Sequence, residues 1–318
     1  MKLADYYNEK SDVRVAFGNA MKEYAAVNSE TMLMTDDLRA AIKCEPFIKA
    51  YPERFVECGI AEAGMMGMAA GLASCGKIPF AVAYATFATW RVAEQLRNDV
   101  AYTNFPVKVV SMTTGVQFGQ GGMSHQTYGD VTLTRMLPNF TVLVPADAAA
   151  TAETVKVAAE HNGPVFLRLG RDAEYHVYAP GECKLRVGGS NLLRDGTDIA
   201  LIAAGFMVRE ALIAAELLEK KGFSVSVVDM YSIKPIDKER LFSLADSCKA
   251  FMTVEEHWTS GLGGAVMEAF SGRRMPPVLL HGLQDSFPPI GPKFELRALL
   301  GLDAKTIAEK AEAFLNKL

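Results

Sequence analysis

The sequence predicts an α/β fold, arranged as two consecutive three-layer α/β/α domains. Short apolar runs that are typical of buried parallel strands alternate with helical patterns along the chain. A stretch rich in glycine and proline, residues 171–191, interrupts this alternation. With 318 residues, of which 50% are hydrophobic and 22% charged, the chain is long enough for two globular domains.

The first half, residues 1–175, is predicted to form a parallel sheet covered by helices on both faces. Its expected strands are Thr31–Met34, Phe55–Val56, Pro79–Tyr84, Val107–Met112, Phe140–Val144 and Val165–Leu169. Its expected helices are Val13–Ala26, capped by Ser11 or Asp12, Ile60–Ser74, Ala88–Tyr102, Val131–Met136 and Ala148–His161. Such a sheet binds ligands at the carboxyl ends of its strands. We therefore expect polar residues that follow these strands to meet on one rim.

Residues 176–190 are expected to be a linker, and residues 191–318 a second α/β domain. Its expected strands are Ile199–Ala204, Ser224–Val228, Ala250–Val254 and Val278–His281. Its expected helices are Val208–Lys221, Lys238–Ser247, Gly261–Phe270 and Ala304–Asn316. Between the second strand and the second helix, Ser232–Asp237 is an expected turn.

Composition argues against several classes of function. The formal net charge is −4, from 33 basic and 37 acidic residues, so no basic surface for nucleic acid is expected. No apolar run reaches the roughly 18 residues of a membrane span, and the polar start MKLADYYNEKSD does not resemble a secretory signal. Five scattered cysteines without zinc spacing favour free thiols in a cytoplasmic protein.

The stretch from Arg54 to Trp90 carries the most specific signals. Glu62 stands in the first turn of an otherwise apolar helix, where the helix dipole favours a carboxylate. Alternatively, its carboxyl faces a ligand in an apolar pocket, where desolvation favours the protonated form and suits it to share a proton. Gly64, Gly67 and Gly71 recur on one side of the helix, which predicts that another backbone approaches there.

Two motifs in this stretch, G-I-A-E-A-G-M and Y-A-T-F-A-T-W, resemble the pyrimidine-binding domain of transketolases and deoxyxylulose-phosphate synthases. Further on, V-V-D-M-Y-S-I-K-P-I-D and V-E-E-H-W-T-S-G-L-G-G-A-V look like the C-terminal domain of the same enzymes. The resemblance implies a thiamine-diphosphate fold followed by a transketolase C-terminal domain. It also implies transfer of a two-carbon ketol unit from a ketose to an aldose.

The same resemblance implies roles for residues that bind the cofactor. By match, Glu62 hydrogen-bonds N1′ of the aminopyrimidine of thiamine diphosphate and so promotes removal of the C2 proton of the thiazolium. Phe87 and Trp90 match the aromatic positions that wall the pyrimidine ring. Asp37, in T-D-D-L, matches an acidic position near the cofactor.

Other matched residues face the substrate, a sugar or sugar phosphate. His125, in G-M-S-H-Q, is expected to contact substrate oxygens and to transfer protons near neutral pH. Arg14 and Arg171 are expected to grip a substrate phosphate, since a planar guanidinium suits two-point contact. For His257, in E-E-H-W, a structural or interface role is favoured.

The family's metal and diphosphate motif, G-D-G, does not occur in the sequence. We therefore interpret the chain as the C-terminal subunit of a split transketolase, whose N-terminal partner carries G-D-G and holds Mg²⁺ or Ca²⁺. No metal ligand is expected in this chain, and its glycine-rich helix is expected to build a dimer core. A deoxyxylulose-phosphate synthase-like enzyme, a 2-oxo acid dehydrogenase β subunit and a non-catalytic regulatory subunit are the alternatives.

Three positions depart from the family's pattern. Gly121 stands where the family has an aspartate that reads a sugar hydroxyl, whereas Thr113 and Ala41 replace a histidine and a serine that bind phosphate. Losing a charge-assisted hydrogen bond costs about 1.5–3 kcal/mol. Two substrate classes therefore stay open: an ordinary pentose phosphate, or a branched, deoxy or sulfonated sugar.

Overall fold

Residues 8–179 and 181–318 are described by the computed structural model. They form a seven-stranded sheet, a five-stranded sheet and a two-stranded ribbon, with helices packed around the two large sheets. The strands are β1 Lys10–Asp12, β2 Thr31–Thr35, β3 Phe55–Glu57, β4 Ile78–Tyr84, β5 Lys108–Met112, β6 Thr141–Leu143, β7 Val165–Arg168, β8 Ala173–Tyr175, β9 Asn191–Arg194, β10 Ile199–Ala203, β11 Val225–Asp229, β12 Ser232–Lys234, β13 Ala250–Trp258 and β14 Val278–Leu283. The α-helices are α1 Val13–Val27, α2 Glu45–Ala50, α3 Glu62–Ser74, α4 Ala85–Thr89, α5 Ala93–Gln95, α6 Asp130–Met136, α7 Ala148–Glu160, α8 Met207–Glu219, α9 Lys238–Ser247, α10 Leu262–Ala269, α11 Lys293–Leu299 and α12 Ala304–Leu315.

The larger sheet belongs mainly to the first half of the chain. Its strand order is β12-β6-β7-β5-β4-β2-β3, and every pairing is parallel except that of β12 with β6. Side chains of β4 alternate between the two faces: Phe80 packs with residues of α1 and α7, and Ala81 with residues of α3. Both faces are therefore covered, and the predicted three-layer α/β class is confirmed.

The smaller sheet forms the centre of the second half. Its order is β14-β13-β10-β11-β9, and β9 alone runs antiparallel to its neighbour. β13 extends to Trp258, four residues beyond the predicted end at Val254. This extension carries Glu255, Glu256 and His257, all of them buried, to the junction of the two halves.

The two halves share one sheet. β12 follows β11 in the second half but pairs antiparallel with β6 of the first half. The turn predicted at Ser232–Asp237 is therefore wrong over Ser232–Lys234, because a partner strand distant in sequence overrides the local pattern. For the same reason the stretch after Leu169 is less irregular than expected, since β8 pairs antiparallel with β1. The domain limits at 175 and 190 stay a prediction.

The single helix predicted at Ala88–Tyr102 is wrong, because the segment is divided into short pieces. α4 ends at Thr89, a 3₁₀ turn follows at Trp90–Val92, and a π-helical stretch occupies Leu96–Tyr102. Thr89 has φ −128° and ψ −77°, and its hydroxyl donates to the carbonyl four residues earlier. Such a back-bonded threonine bends a helix. The bend brings the Arg91 side chain to α3.

Features of membrane proteins and disulfide-bonded proteins are not found in the described part of the chain. No helix within residues 8–179 and 181–318 is long and apolar enough to cross a bilayer. The five cysteines, all within the described ranges, are free thiols. The structure therefore relies on packing and hydrogen bonds rather than on covalent cross-links.

His281, in β14, is buried in its neutral form. The carbonyl of Gly301 accepts a hydrogen bond from Nε2 at 2.9 Å, and Lys310 Nζ lies 3.3 Å from Nδ1. Burial, and then the charge of Lys310, lowers the pKa of His281 to about 4, although the charge of Asp303 acts in the opposite direction. Near pH 5 the folded protein therefore keeps this ring neutral, whereas the unfolded chain protonates it.

We expect the free energy of unfolding to decrease as the pH falls from 7 to 5, because the unfolded state then binds a proton that the folded state does not. One such histidine contributes about 2 kcal/mol to this decrease. His281→Gln keeps an amide donor for the Gly301 carbonyl. Between pH 7 and 5 its free energy of unfolding should fall by about 2 kcal/mol less than that of the wild type. Urea unfolding of both proteins at the two pH values measures the difference; equal losses would contradict the assignment.

Candidate active site

The Glu62 carboxylate is buried at the start of α3 and faces Arg91. Its side chain is 5% exposed, and Arg91 Nη1 donates to Oε1 at 2.9 Å. The guanidinium carbon of Arg91 also lies 4.4 Å from the centroid of the Phe87 ring. A flat group that carries N–H donors thus rests on an aromatic face and bonds a buried carboxylate.

His125, at the end of the glycine-rich loop, lies among three aromatic rings. Its ring centroid is 5.6 Å from that of Phe87, 5.1 Å from that of Phe118 and 5.9 Å from that of Tyr84. Ser124 Oγ lies 2.9 Å from Nδ1. Because Phe87 contacts both Arg91 and His125, the two predicted catalytic residues belong to one continuous site.

Arg171 extends this site on the far side of Phe118. Its guanidinium carbon is 3.8 Å from the centroid of Phe118, and its Nη1 has no hydrogen-bond partner among the described residues. A cavity of about 220 Å³ lies beside it, lined in part by Gln117 and Lys293. Gln117 Oε1 accepts from Lys293 Nζ at 3.3 Å, whereas Gln117 Nε2 is likewise unpartnered within the described ranges. Arg171 and Gln117 are therefore unpartnered donors in the wall of a cavity.

The Arg14 guanidinium is less available to a substrate phosphate than its predicted role requires. Asp12 caps α1 by accepting the Arg14 N–H at 2.9 Å, as expected, and accepts from Nε and Nη2 at 3.1 and 2.8 Å. Nη2 also donates to Asp172 at 2.5 Å, and Nη1 donates to the carbonyl of Ala41 at 3.2 Å. Asp172 lies 3.3 Å from Arg171 Nε as well. The two arginines are thus joined through one carboxylate.

A buried ion pair closes the base of the glycine-rich loop. The backbone N–H groups of Gly115 and Thr127 donate to each other's carbonyls at 2.7 and 3.0 Å. Arg168 bonds Asp130 at 2.8 Å, and its Nη2 donates to the carbonyls of Thr127 and Glu256 at 3.5 and 3.0 Å. The side chains of this pair are 5% and 0% exposed. One guanidinium therefore ties the loop to β7 and to β13.

Glu256 fixes the other side of the same junction. Its Oε1 accepts the Val116 N–H at 2.8 Å, and its Oε2 accepts from Arg297 Nε at 2.6 Å. Gly115 has φ 59°, and a Cβ added there would lie 2.3 Å from Glu256 Oε1. Only glycine fits this close approach with that backbone conformation.

The three positions that depart from the family's pattern lie at or near the site. A Cβ added at Gly121 would lie 2.9 Å from His125 Cβ, so the loop conformation depends on a missing side chain. Thr113 is buried with φ 62°, and its hydroxyl has no partner among the described residues. Ala41 contributes its carbonyl to Arg14.

Trp90 and Asp37 were both expected to bind the cofactor. Within the described residues, no hydrogen bond or ring contact joins either of them to the site described above. Trp90 is 52% exposed, and its indole packs at Gly129, where an added Cβ would lie 2.5 Å from it. Arg91, rather than Trp90, covers Phe87. Asp37 is exposed with φ 67°, and its N–H donates to Glu57 at 2.7 Å. Their roles stay a prediction.

Asp36 and Arg91 are residues that the sequence reasoning missed. Asp36 follows β2 and is buried, and its Oδ1 has no partner within the described ranges. Burial, helped by the charges of Glu62 and Glu57, raises the pKa of Asp36 to about 7. Its position at the end of a strand was the available signal. For Arg91 the sequence offered no reliable signal, because its position against Phe87 and Glu62 depends on the bend after Thr89.

Cys58, which lies between Glu57 and α3, is not a reactive thiol. Burial, with the charges of Glu57 and Asp36, raises its pKa to about 11. The thiolate form needed for nucleophilic attack is therefore scarce at neutral pH.

His257 has the interface role that was favoured for it. The Val131 N–H donates to Nε2 at 3.2 Å, and Nδ1 lies 2.6 Å from the carbonyl of Trp258. Since a carbonyl only accepts, Nδ1 carries the proton and the ring is neutral. Burial lowers the pKa of His257 to about 4, in agreement with that tautomer. The ring thus connects α6 of the first half with β13 of the second.

The contacts of Arg91 test whether the site fits an aminopyrimidine. The Arg91 guanidinium is flat and carries nitrogen atoms, as an aminopyrimidine ring does, and it lies on Phe87 while bonding Glu62. Phe87 and Glu62 therefore suit the pyrimidine ring of thiamine diphosphate. A metal site is different: no group of three His, Cys, Asp or Glu side chains in the described part of the chain could hold an ion.

Comparison with known proteins identifies the family of the chain. The family description "Transketolase, pyrimidine binding domain" matches residues 9–175, and "Transketolase, C-terminal domain" matches residues 188–307. A "Putative transketolase C-terminal section" of Methanocaldococcus jannaschii is 37% identical, over 100% of this chain and 99% of the relative. One of the subunits of an apulose-4-phosphate transketolase, from Phocaeicola vulgatus, is 36% identical, over 96% of this chain and 97% of the relative.

A solved structure described as "Split gene transketolase, inactive beta4 tetramer" has a TM-score of 0.89 and 40% identity, over 96% of this chain and 98% of that one. The fold and the matched family imply a protein of the thiamine-diphosphate-dependent class. The chain belongs to the transketolase family and carries its pyrimidine-binding and C-terminal domains in that order. The predicted resemblance to the C-terminal subunit of a split transketolase is confirmed.

Gly121→Ala should displace His125, because the added Cβ would lie 2.9 and 3.0 Å from His125 Cβ and Cγ. The ring would then move relative to the three aromatic rings around it. In NMR spectra the His125 ring signals should shift in this variant. Gly64→Ala is the matched control, since its Cβ would meet nothing closer than 3.9 Å. Unchanged His125 signals in Gly121→Ala would show that the loop adapts elsewhere.

Proposed function

We propose that this chain is the C-terminal subunit of a transketolase, which transfers a two-carbon ketol unit from a ketose to an aldose when joined to an N-terminal partner. One observation carries the proposal: four of the expected residues, namely the catalytic Glu62 and His125, the cofactor-binding Phe87 and the substrate-binding Arg171, lie in one unbroken series of contacts. The series is Glu62, Arg91, Phe87, His125, Phe118 and Arg171. A non-catalytic subunit has no need for this arrangement.

The chain's own residues would act on the two ends of the reaction. Bound thiamine diphosphate supplies the acidic C2 carbon and the electron sink that ketol transfer requires. Glu62, buried in an apolar helix start, would hold a proton at N1′ of the pyrimidine, and Phe87 would support the face of that ring. His125 Nδ1 is engaged by Ser124, so Nε2 is the atom that would donate to or accept from substrate oxygens.

The partner subunit would hold the diphosphate and the metal ion, Mg²⁺ or Ca²⁺. The solved split-gene relative, which is described as an inactive β4 tetramer, supports this division. Charge-assisted contacts to the diphosphate are the strong ones, so cofactor affinity should depend on the partner.

The substrate's anionic end would bind at the cavity beside Arg171. Unpartnered donors of Arg171 and Gln117 lie there, whereas Arg14 is balanced by Asp12 and Asp172. Of the two matched arginines, only Arg171 offers an unpartnered donor, its Nη1, to an anion, which favours a substrate other than an ordinary pentose phosphate. The relative from Phocaeicola vulgatus makes apulose 4-phosphate a candidate for assay.

The decisive test is ketol transfer by the complex with its N-terminal partner, with Glu62→Gln as the informative variant. We expect Glu62→Gln to assemble normally but to exchange the C2 proton of bound cofactor about 10²–10⁴-fold more slowly. Glu94→Gln, at an exposed glutamate of the neighbouring segment, is the matched control. If Glu62→Gln exchanges this proton at the wild-type rate, or the wild-type complex turns over no ketose, the proposal is wrong.

The chain would also self-associate through α3. Gly64 and Gly71 are exposed, and apart from α3 itself no backbone atom of the described chain lies within 4 Å of a Cβ added at Gly64, Gly67 or Gly71. Met68, on the same side of α3, is 47% exposed, and Ile60, just before α3, is 77% exposed. The close backbone approach that the glycines predicted is therefore not made within the described chain, and a second copy is the occupant that we propose.

Gly67→Leu should weaken this association while leaving the fold stable, because a Cβ at Gly67 meets only Asp99 Oδ2 at 3.8 Å within the chain. Analytical ultracentrifugation should show a smaller species than for the wild type. Lys22→Leu, which adds a similar apolar side chain to the exposed surface of α1, is the control. Wild-type assembly of Gly67→Leu would place the interface elsewhere.

A further inference from the structure

Arg91 occupies both of the contacts that the proposed function assigns to the cofactor's pyrimidine ring. Its guanidinium carbon lies 4.4 Å from the centroid of Phe87, and its Nη1 donates to Glu62 Oε1 at 2.9 Å. Within the described residues, Glu62 is the sole hydrogen-bond partner of this guanidinium. The Arg91 guanidinium therefore lies where the proposed function places the pyrimidine ring.

A guanidinium and a pyrimidine ring cannot make these contacts at the same time. A separation of 4.4 Å is a stacking distance, so that side of the Phe87 ring holds one flat group. The Arg91 donor at 2.9 Å also takes one acceptor direction of Oε1, on the side of the carboxylate that faces Phe87's stacked group. Binding of the cofactor therefore requires that Arg91 moves.

We propose that Arg91 holds the place of the pyrimidine ring in the cofactor-free subunit and is displaced by the cofactor, so that Arg91 is a positioning residue that sets the affinity of the site. This inference rests on the proposed function. It concerns the state before cofactor binds, and it adds a residue that acts through Glu62 and Phe87.

The local structure lets Arg91 leave. Its side chain is 52% exposed, and it lies in the 3₁₀ turn that follows the distorted backbone of Thr89. Solvent next to the guanidinium screens its ion pair, which keeps the closed state weak. One half-exposed ion pair and one cation–π contact together lower the apparent affinity for the cofactor about tenfold, since the open form is the competent one.

Displacement also changes the surroundings of Glu62. While Arg91 is in place, its Nη1 donates to Oε1 of Glu62. Once the guanidinium has left, Oε1 is open to a ring nitrogen, with which it can share a proton.

Calorimetric titration of the complex with thiamine diphosphate and Mg²⁺ tests this inference. Arg91→Met keeps an unbranched apolar stem and removes the charge and the N–H donors, so the dissociation constant should fall about tenfold. Arg97→Met is the matched control, because Arg97 is an exposed arginine of the same segment that bonds Asn98. Its dissociation constant should equal that of the wild type.

A second measurement uses this chain alone, with the aminopyrimidine half of thiamine as the probe. The rise in melting temperature at a fixed probe concentration reports the affinity by mass action. It should be larger for Arg91→Met than for the wild type. In a Glu62→Gln background Arg91→Met should have a smaller effect, because the ion pair is already lost and only the cation–π contact with Phe87 remains to be removed.

The outcomes separate the inference from the function on which it rests. Unchanged or weaker cofactor binding by Arg91→Met, with a wild-type complex that binds and reacts, would overturn the inference alone. Failure of the wild-type complex and of every variant to bind thiamine diphosphate would overturn both.

Discussion

The buried ion pair between Arg168 and Asp130 is the constraint on which the site depends. Arg168 ends β7, Asp130 begins α6, and the same guanidinium reaches carbonyls at the base of the glycine-rich loop and in β13. Removing one partner of a buried pair leaves an uncompensated charge, at a cost of about 3–5 kcal/mol. Because the base of the loop is fixed here, His125 is held among aromatic rings although three of the six residues before it are glycines.

The fold was predictable where its signals are local. β4 is a short buried apolar run and α3 a helix of ordinary length, so the central strand–helix–strand unit follows from the sequence. β12 depends on a partner that lies far away in sequence, and α2 and α11 are too short for a reliable period. Thr89 broke the predicted helix because a single side-chain hydrogen bond decided the backbone there.

The residues of the site could be predicted from the sequence, but the ion pairs that they form could not. The motifs assign Arg14 and Arg171 the same role, yet two carboxylates and a carbonyl surround Arg14, while Arg171 lies on an aromatic ring with an unpartnered donor. Asp12 and Asp172 each lie beside one of the arginines in sequence, but the pairing of Arg14 with Asp172 joins segments 158 residues apart, so only the folded chain distinguishes the two arginines. The same holds for Arg91, whose meeting with Glu62 requires the bend after α4.

The addition of β12 to the larger sheet has a consequence for how the protein avoids unwanted association. A strand at a sheet edge offers free N–H and C=O groups to any extended segment that approaches. β6 would be such an edge, and Ser232–Lys234 covers it with a strand from the other half of the same chain. The second half therefore acts as a built-in edge cap for the first. A truncated chain ending before β9 would expose Thr141–Leu143 and become prone to aggregate through strand pairing.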